Sequence, residues 1–395
     1  MTFHVKESNG VRTITPNGHT HSGTVIGNRN NNSIEYNDAV NSIVKKVVAD
    51  KSKNIAFNSA VKYNREHGLP EYDSTVHNTP STLGKQGAIG RVYEEAVKAT
   101  PEYKQIVFDL YKRHYPELIK EHGVKDYDDL LRKSYSALAI ETRNQFKAMP
   151  VRMQFHSGDL GYSSSNEMMK DIHHHHNLTV YRGGDRHEFL HNVDPETGLN
   201  ENEMFRAVHD YYGHGIHGNQ FGAKGEEVAW ECHSKMFSPL ARLAMTSETR
   251  GQNSYVNYTR ANSDRYVKME HHRKLANEAF NRGNIDEYNL HKSKVEELGR
   301  DWKYAYQKAV LLPPSMTRID YNGKMPKAIS NLIGNNGTYD VDKDHLRLVQ
   351  LAKSHNTTSQ LSGRGGIYDR VNAVNDFNAL LSHNGYNKVN KTPNL

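Results

Sequence analysis

The 395-residue sequence contains one cysteine, Cys232, only two tryptophans and no long apolar run. A single thiol excludes an intramolecular disulfide framework and any metal knuckle built from paired CxxC motifs, and it fits a reducing compartment. No stretch approaches the roughly 18 consecutive apolar residues of a membrane-spanning helix, and the opening MTFHVKESNG has no apolar signal core. The expectation is therefore a soluble, unsecreted chain with no membrane partner. Hydrophobic residues are also few, at 36% with a mean hydropathy of −0.83, so part of the chain is expected to lie outside a packed core. Charge of one sign is lacking too. The 51 Lys and Arg are dispersed among 45 Asp and Glu, leaving a net +6. That balance permits weak association with nucleic acid, but it lacks the clustered basic footprint of a dedicated binder.

What is abundant is histidine, with 24 residues. Imidazole is the commonest protein metal ligand and the side chain that titrates nearest neutrality. The pattern along the chain predicts an α+β fold that is mainly helical. Residues 1–35, rich in Asn, Gly, Ser and Thr without periodicity, read as a flexible arm. A mainly helical domain with a small sheet follows over 36–335, its core at 100–315, and then a polar segment, 336–395, with short helices. Helical composition marks 38–65 and 85–99. Two firmer helices span 101–123 and 126–146, separated by Gly123, and the second carries a buried stripe of Leu131, Tyr135, Leu138, Thr142 and Phe146. Period-two alternation in VRMQFHS and LTVYRG predicts two strands. Asn200 and Glu203 form a capping pair for a helix that Gly213 ends. Another helix runs from Gly225 to about Met245, the stretch TSETRGQNS is a loop, and a long charged helix covers about 255–312 with Val295, Leu298, Trp302, Ala305 and Ala309 as its apolar stripe.

The chemistry is concentrated between His209 and His233. Three histidines, His209, His214 and His217, fall within nine residues and are followed by Glu226, Glu227, Glu231 and His233. Mixed imidazole and carboxylate ligands without thiolate suit iron, zinc or manganese. On an uninterrupted α-helix His209 and His214 lie about 140° apart, so the expectation is that a helix end at Gly213 lets His214 swing back. On the next helix Glu226, Trp230, His233 and Phe237 share one narrow face, which favours Glu226 over Glu227 as third ligand. The four consecutive histidines His173–His176 cannot all face one point and are expected at the surface, where they are a source of adventitious metal binding.

The six residues HDYYGH resemble the HDxxGH motif of the aromatic amino-acid hydroxylases, whose two histidines and a later glutamate hold non-haem iron(II). That resemblance implies His209 and His214 as ligands with Asp210 beside them. It departs from the family in the distance to the glutamate and in lacking recognisable pterin-binding features. A longer resemblance is to uncharacterised bacteriophage and prophage proteins sharing LFRAVHDYFGH, GEENAWRAHxxM and AMTTETRGQNSW, which here read MFRAVHDYYGH, GEEVAWECHSKM and AMTSETRGQNSY. It implies a phage origin, with the bacterial cytoplasm or the virion as location, and brings no activity with it. YRGG at 181–184 resembles the strand-end arginine motif of ADP-ribosyltransferases, but the companion Ser-Thr-Ser strand and Glu-x-Glu turn are absent.

Three readings follow. The first is a non-haem iron oxygenase or hydroxylase, an oxidoreductase with Fe(II) favoured over Zn or Mn on His209, His214 and Glu226. Arg250, Gln252 and Asn253 would hold a small-molecule or nucleotide-like substrate, with His217 or His233 supporting the ligands. The second is a zinc or manganese hydrolase with Glu227 or His233 as general base. The third is a virion or injected phage protein in which the cluster is structural.

Overall fold

The computed structural model describes residues 2–19, 34–77, 82–157, 162, 165–219, 221–258, most of 268–300, and 305–334. The C-terminal helices expected past 335 lie outside the described residues, as does Trp302. The fold is mainly helical with a four-stranded mixed sheet. Among the described residues, no helix is long and apolar enough to cross a membrane. Two compact units divide the span expected as one domain. The first comprises Met1–Asn78, Val107–Arg250 and Gln307–Ile319, and the second comprises 79–106 and 251–306 with the segment that starts at Asp320.

In the first unit the sheet has four strands in the order β1 (Phe3–Ser8), β2 (Val11–Pro16), β3 (Arg152–His156) and β4 (Asn177–Tyr181). The first two correct the expectation of a flexible arm over these residues. Asn9 and Gly10 both take positive φ, 51° and 73°, the two-residue turn whose twist matches a hairpin, and they pair Ser8 with Val11 and Phe3 with Pro16. β2 runs antiparallel to β3, while β3 and β4 are parallel and register Met153 with Leu178 and Phe155 with Val180. Ile14, Met153, Phe155, Leu178 and Val180 turn one face of the sheet into core.

Helices α1 (Ile34–Ala49) and α2 (Ile55–Glu66) precede α3 (Thr82–Lys98) and α4 (Pro101–His114). The helix expected over 101–123 is broken at Tyr115, after which Pro116 opens the short α5 (Pro116–Glu121). Helix α6 (Tyr127–Ala148) starts at the Asp126 cap and buries all five residues of the predicted stripe. It also buries Ser134 and Gln145 on the same side. α7 (Ser165–His175) connects the two parallel strands. α8 (Glu201–Val208) begins with the predicted capping box, Asn200 Oδ1 accepting from the Glu203 amide and Glu203 Oε2 from the Asn200 amide.

The helix expected to run from 225 to 245 is two. α9 (Ala223–Ser234) ends before Ser238 and Pro239, which cap and open α10 (Pro239–Thr246). The expected loop at 247–251 is a π-helical turn, Ser247–Gly251, leading into α11 (Gln252–Tyr258). α11 packs on α3 within the second unit. Of the long helix expected over 255–312, the part Ile285–Arg300 is helical, but 305–313 is not. Ala309, Val310, Leu311 and Leu312 are all buried in consecutive positions, as a helix with one wet face cannot arrange. Their backbone is held instead by side chains: the Leu311 amide donates to the Tyr127 hydroxyl and the Ala309 amide to Glu188.

Candidate metal centre

α8 does not stop at Gly213. It passes into a π-helical turn, His209–His214, whose wider winding pairs the Gly215 amide with the Asp210 carbonyl, five residues back, at 3.0 Å. Residues five apart then stack on one face. This, rather than a break at Gly213, brings His209 and His214 together, with ring centroids 5.3 Å apart. The glycines serve another purpose, since neither has positive φ. A Cβ on Gly213 would meet Ala229 of α9 and the His209 ring at 3.2 Å, so its absence lets α9 approach. A Cβ on Gly215 would stand 2.3 Å from the Tyr211 carbonyl oxygen. Gly215→Ala is therefore expected to cost about 1–3 kcal/mol, the range of an overpacked core. Urea unfolding of the metal-free protein checks this, and a change under about 0.5 kcal/mol would show that the turn yields freely.

α9 sets Glu226 against this turn. Its Oε2 lies 3.3 Å from Nε2 of His209 and 3.3 Å from Nε2 of His214, and the three ligand atoms fall within 4.8 Å of one another. Two atoms bound at about 2.1 Å to one ion, at angles between octahedral and tetrahedral, are about 3.0–3.4 Å apart, so both Glu226–His separations match a shared cation. The donor chemistry fits as well. Nδ1 of His214 lies 3.0 Å from the Asn219 carbonyl, which only accepts, so that nitrogen carries hydrogen. In the neutral ring Nε2 is then a bare lone pair facing Glu226. Asn219 is itself anchored, its amide donating to the Gly213 carbonyl at 2.9 Å. His214 is 1% exposed, His209 12% and Glu226 28%, so solvent reaches the cluster from the side of Glu226 and His209.

Charges around the cluster follow from burial and proximity. Burial works to raise Glu226, but His214 and His209 outweigh it and hold the carboxylate well below the usual range. Asp210, next in sequence to His209, is pushed up to about 6 by burial, against the pull of His214 and His209. His233 sits among the rings of Phe205, Tyr212 and Phe237, and this burial, helped by His209 and His214, holds it far below the ordinary imidazole value.

The remaining residues singled out in the sequence fall in several places. Glu227 and Arg250 are wholly buried and face each other, Nε and Nη2 of the guanidinium donating to the two carboxylate oxygens at 3.1 and 2.6 Å. Arg250 also donates to the carbonyls of Met316 and Arg318 and stacks on Trp230 with 3.9 Å to the ring centroid. Gln252 and Asn253 open α11, in the second unit, where the Asn253 side chain accepts from Asn257. His217 is outside the three-residue cluster and is lowered to about 4, first by burial and then by Lys235 and Lys51.

Of the four consecutive histidines, His174 is exposed and the other three are partly buried. His173 is half-buried and donates from Nε2 to the Gly215 carbonyl at 2.9 Å, a support for the turn that its place in a histidine run concealed. Arg182 of the YRGG motif lines a separate cavity of about 630 Å3 at the carboxyl ends of β3 and β4, with its Nε on Glu203.

Gln145 is a participant that sequence reasoning missed. Its side chain meets His233 at 2.7 Å, and the only signal was a polar residue on the buried side of α6. Comparison with protein-family models, with curated proteins and with solved structures finds no match to this chain.

Proposed function

We propose that this chain is a metal-dependent enzyme in which His209, His214 and Glu226 hold one divalent cation, iron(II) ahead of zinc or manganese, for oxygenase chemistry on a small or nucleotide-like molecule. The observation that carries the reading is the single carboxylate oxygen of Glu226 standing 3.3 Å from two imidazole nitrogens, one of which presents a lone pair whenever its ring is neutral. Three protein ligands leave coordination positions open, and two histidines with one carboxylate is the donor set that non-haem iron(II) oxygenases use to bind oxygen and substrate side by side. When bound, the ion supplies the redox or Lewis-acid centre. The chain's own residues bind and orient. His214 and its Asn219 contact fix the buried side, and the partly exposed Glu226 and His209 leave the other side accessible. Phe221, whose ring lies 5.1 Å from His214, adds an apolar wall. The same donor set occurs in catalytic zinc sites, so the identity of the metal decides the reaction class.

Metal analysis after anaerobic purification tests this, in a variant with His174 and His175 changed to alanine to suppress binding by the histidine run. His173 stays, because it holds Gly215. One iron per chain with oxygen uptake in the presence of reductant is the expected result, and stoichiometric zinc would move the protein to the hydrolases. Failure to retain iron, zinc or manganese after reconstitution would overturn both and leave a structural role for the cluster.

A further inference from the structure

We infer that Gln145 selects the tautomer of His209 through His233, and thereby keeps the nitrogen that faces Glu226 free of hydrogen. The inference rests on the reading that His209, His214 and Glu226 form a metal centre, and it assigns a positioning role to two residues that contact no ion.

The chain of reasoning starts at a backbone carbonyl. The Gln145 amide nitrogen donates to the Met236 carbonyl at 2.9 Å, and because a carbonyl only accepts, the orientation of the carboxamide is fixed. Its Oε1 therefore faces Nε2 of His233, 2.7 Å away. That oxygen also only accepts, so the hydrogen between them belongs to His233. His233 is buried among three aromatic rings, and among the described residues no carboxylate lies within hydrogen-bonding distance of it, a setting that disfavours a second hydrogen and its charge. With that hydrogen on Nε2, its Nδ1 is a lone pair.

Nδ1 of His233 lies 3.4 Å from Nδ1 of His209, and a bond there needs a hydrogen that only His209 can supply. His209 then has its hydrogen on Nδ1, and its Nε2 presents a lone pair to Glu226 Oε2. The opposite tautomer would place an N–H against the carboxylate and close the site as an ordinary His–Glu pair. His214 reaches the receptive state directly, through the Asn219 carbonyl. His209 reaches it through two side chains and α6.

The test uses the full-length, metal-stripped protein. Long-range proton–nitrogen correlation of the imidazoles, with His209 assigned from a His209→Gln variant, is expected to show hydrogen on Nδ1 of His209. Gln145→Leu should lose that preference and weaken zinc(II) binding by about 10- to 100-fold, the usual consequence of removing an outer hydrogen bond to a ligating histidine. The visible spectrum of bound cobalt(II) should change with it. Gln145→Glu, whose carboxylate would favour hydrogen on both nitrogens of His233 and so turn its Nδ1 into a donor toward His209, should weaken zinc(II) binding as Gln145→Leu does. Hydrogen on Nε2 of His209 in the unsubstituted protein would overturn the inference whatever the variants do. So would a folded Gln145→Leu with unchanged zinc affinity. An Nδ1 tautomer in a protein that binds neither zinc nor cobalt would instead support the inference and remove the metal reading beneath it.

Discussion

Replacing Glu227 with alanine is expected to cost about 3–5 kcal/mol of folding stability, the penalty for leaving one half of a buried ion pair uncompensated. Both side chains are wholly buried, so the charge left behind on Arg250 would have no access to water. Its two donors to Glu227 would be left facing a cavity while Nη1 stays bound to the carbonyls of Met316 and Arg318. Stacking on Trp230 would hold it in place rather than let it turn toward water. Urea unfolding monitored by tryptophan fluorescence measures the loss, and a change below about 1 kcal/mol would mean that water or another group reaches the guanidinium. The double variant Glu227→Ala, Arg250→Met should recover part of the stability, because removing both charges removes the unpaired one. Loss of activity in the single variant would report the fold before it reported a role in catalysis.

One position earlier the outcome should be the reverse. Glu226→Ala is expected to lower metal affinity on the order of 100-fold or more, exceeding what loss of an outer contact does, while the metal-free protein loses clearly less stability than Glu227→Ala does. Glu226 is partly exposed, and the partners of its side chain among the described residues are two imidazoles, which can shed a proton when it is removed where a guanidinium cannot. Cation at about 100 times its Kd should stabilise the unsubstituted protein by about 2.7 kcal/mol, and this increment should fall to about 0.4 kcal/mol or less in the variant. Thermal unfolding with and without zinc(II) reads both quantities. Equal metal stabilisation in the two proteins would remove Glu226 from the site. Adjacent glutamates thus separate binding from folding, because α9 turns one toward His209 and the other toward Arg250.

The part of this that could be read in advance was the part carried by local periodicity. The stripe on α6 and the Asn200–Glu203 box depend on residues three and four apart, and the choice of Glu226 came from which face of α9 it shares with His233. What was not legible depended on contacts distant in sequence. A π turn differs from an α turn in one hydrogen-bond partner, and no side chain announces it. Here Gly213 against Ala229 and His173 on the Gly215 carbonyl surround it. Gln145 stood out only as a polar residue on a buried side, and its partner is 88 residues away. The hairpin at Asn9-Gly10 carried a strong local signal, but the surrounding excess of Asn, Gly and Thr outweighed it. The segment 305–313 misled in the opposite direction, because its apolar spacing imitates a helix while its backbone hydrogen bonds are made by Tyr127, Tyr135 and Glu188.

The turn at 209–214 holds one residue more than an α turn would, and so does the turn at 247–251. A helix that gains a single residue in this way keeps its axis while everything beyond it rotates by about 100°. The site is therefore written partly in a residue count. Point substitutions at exposed positions of these helices leave that count intact, whereas deletion of one codon in either turn would preserve a helix and misdirect its side chains. Among distant variants of this chain, the spacing between His209 and His214 should tolerate less change than the identity of the residues between them.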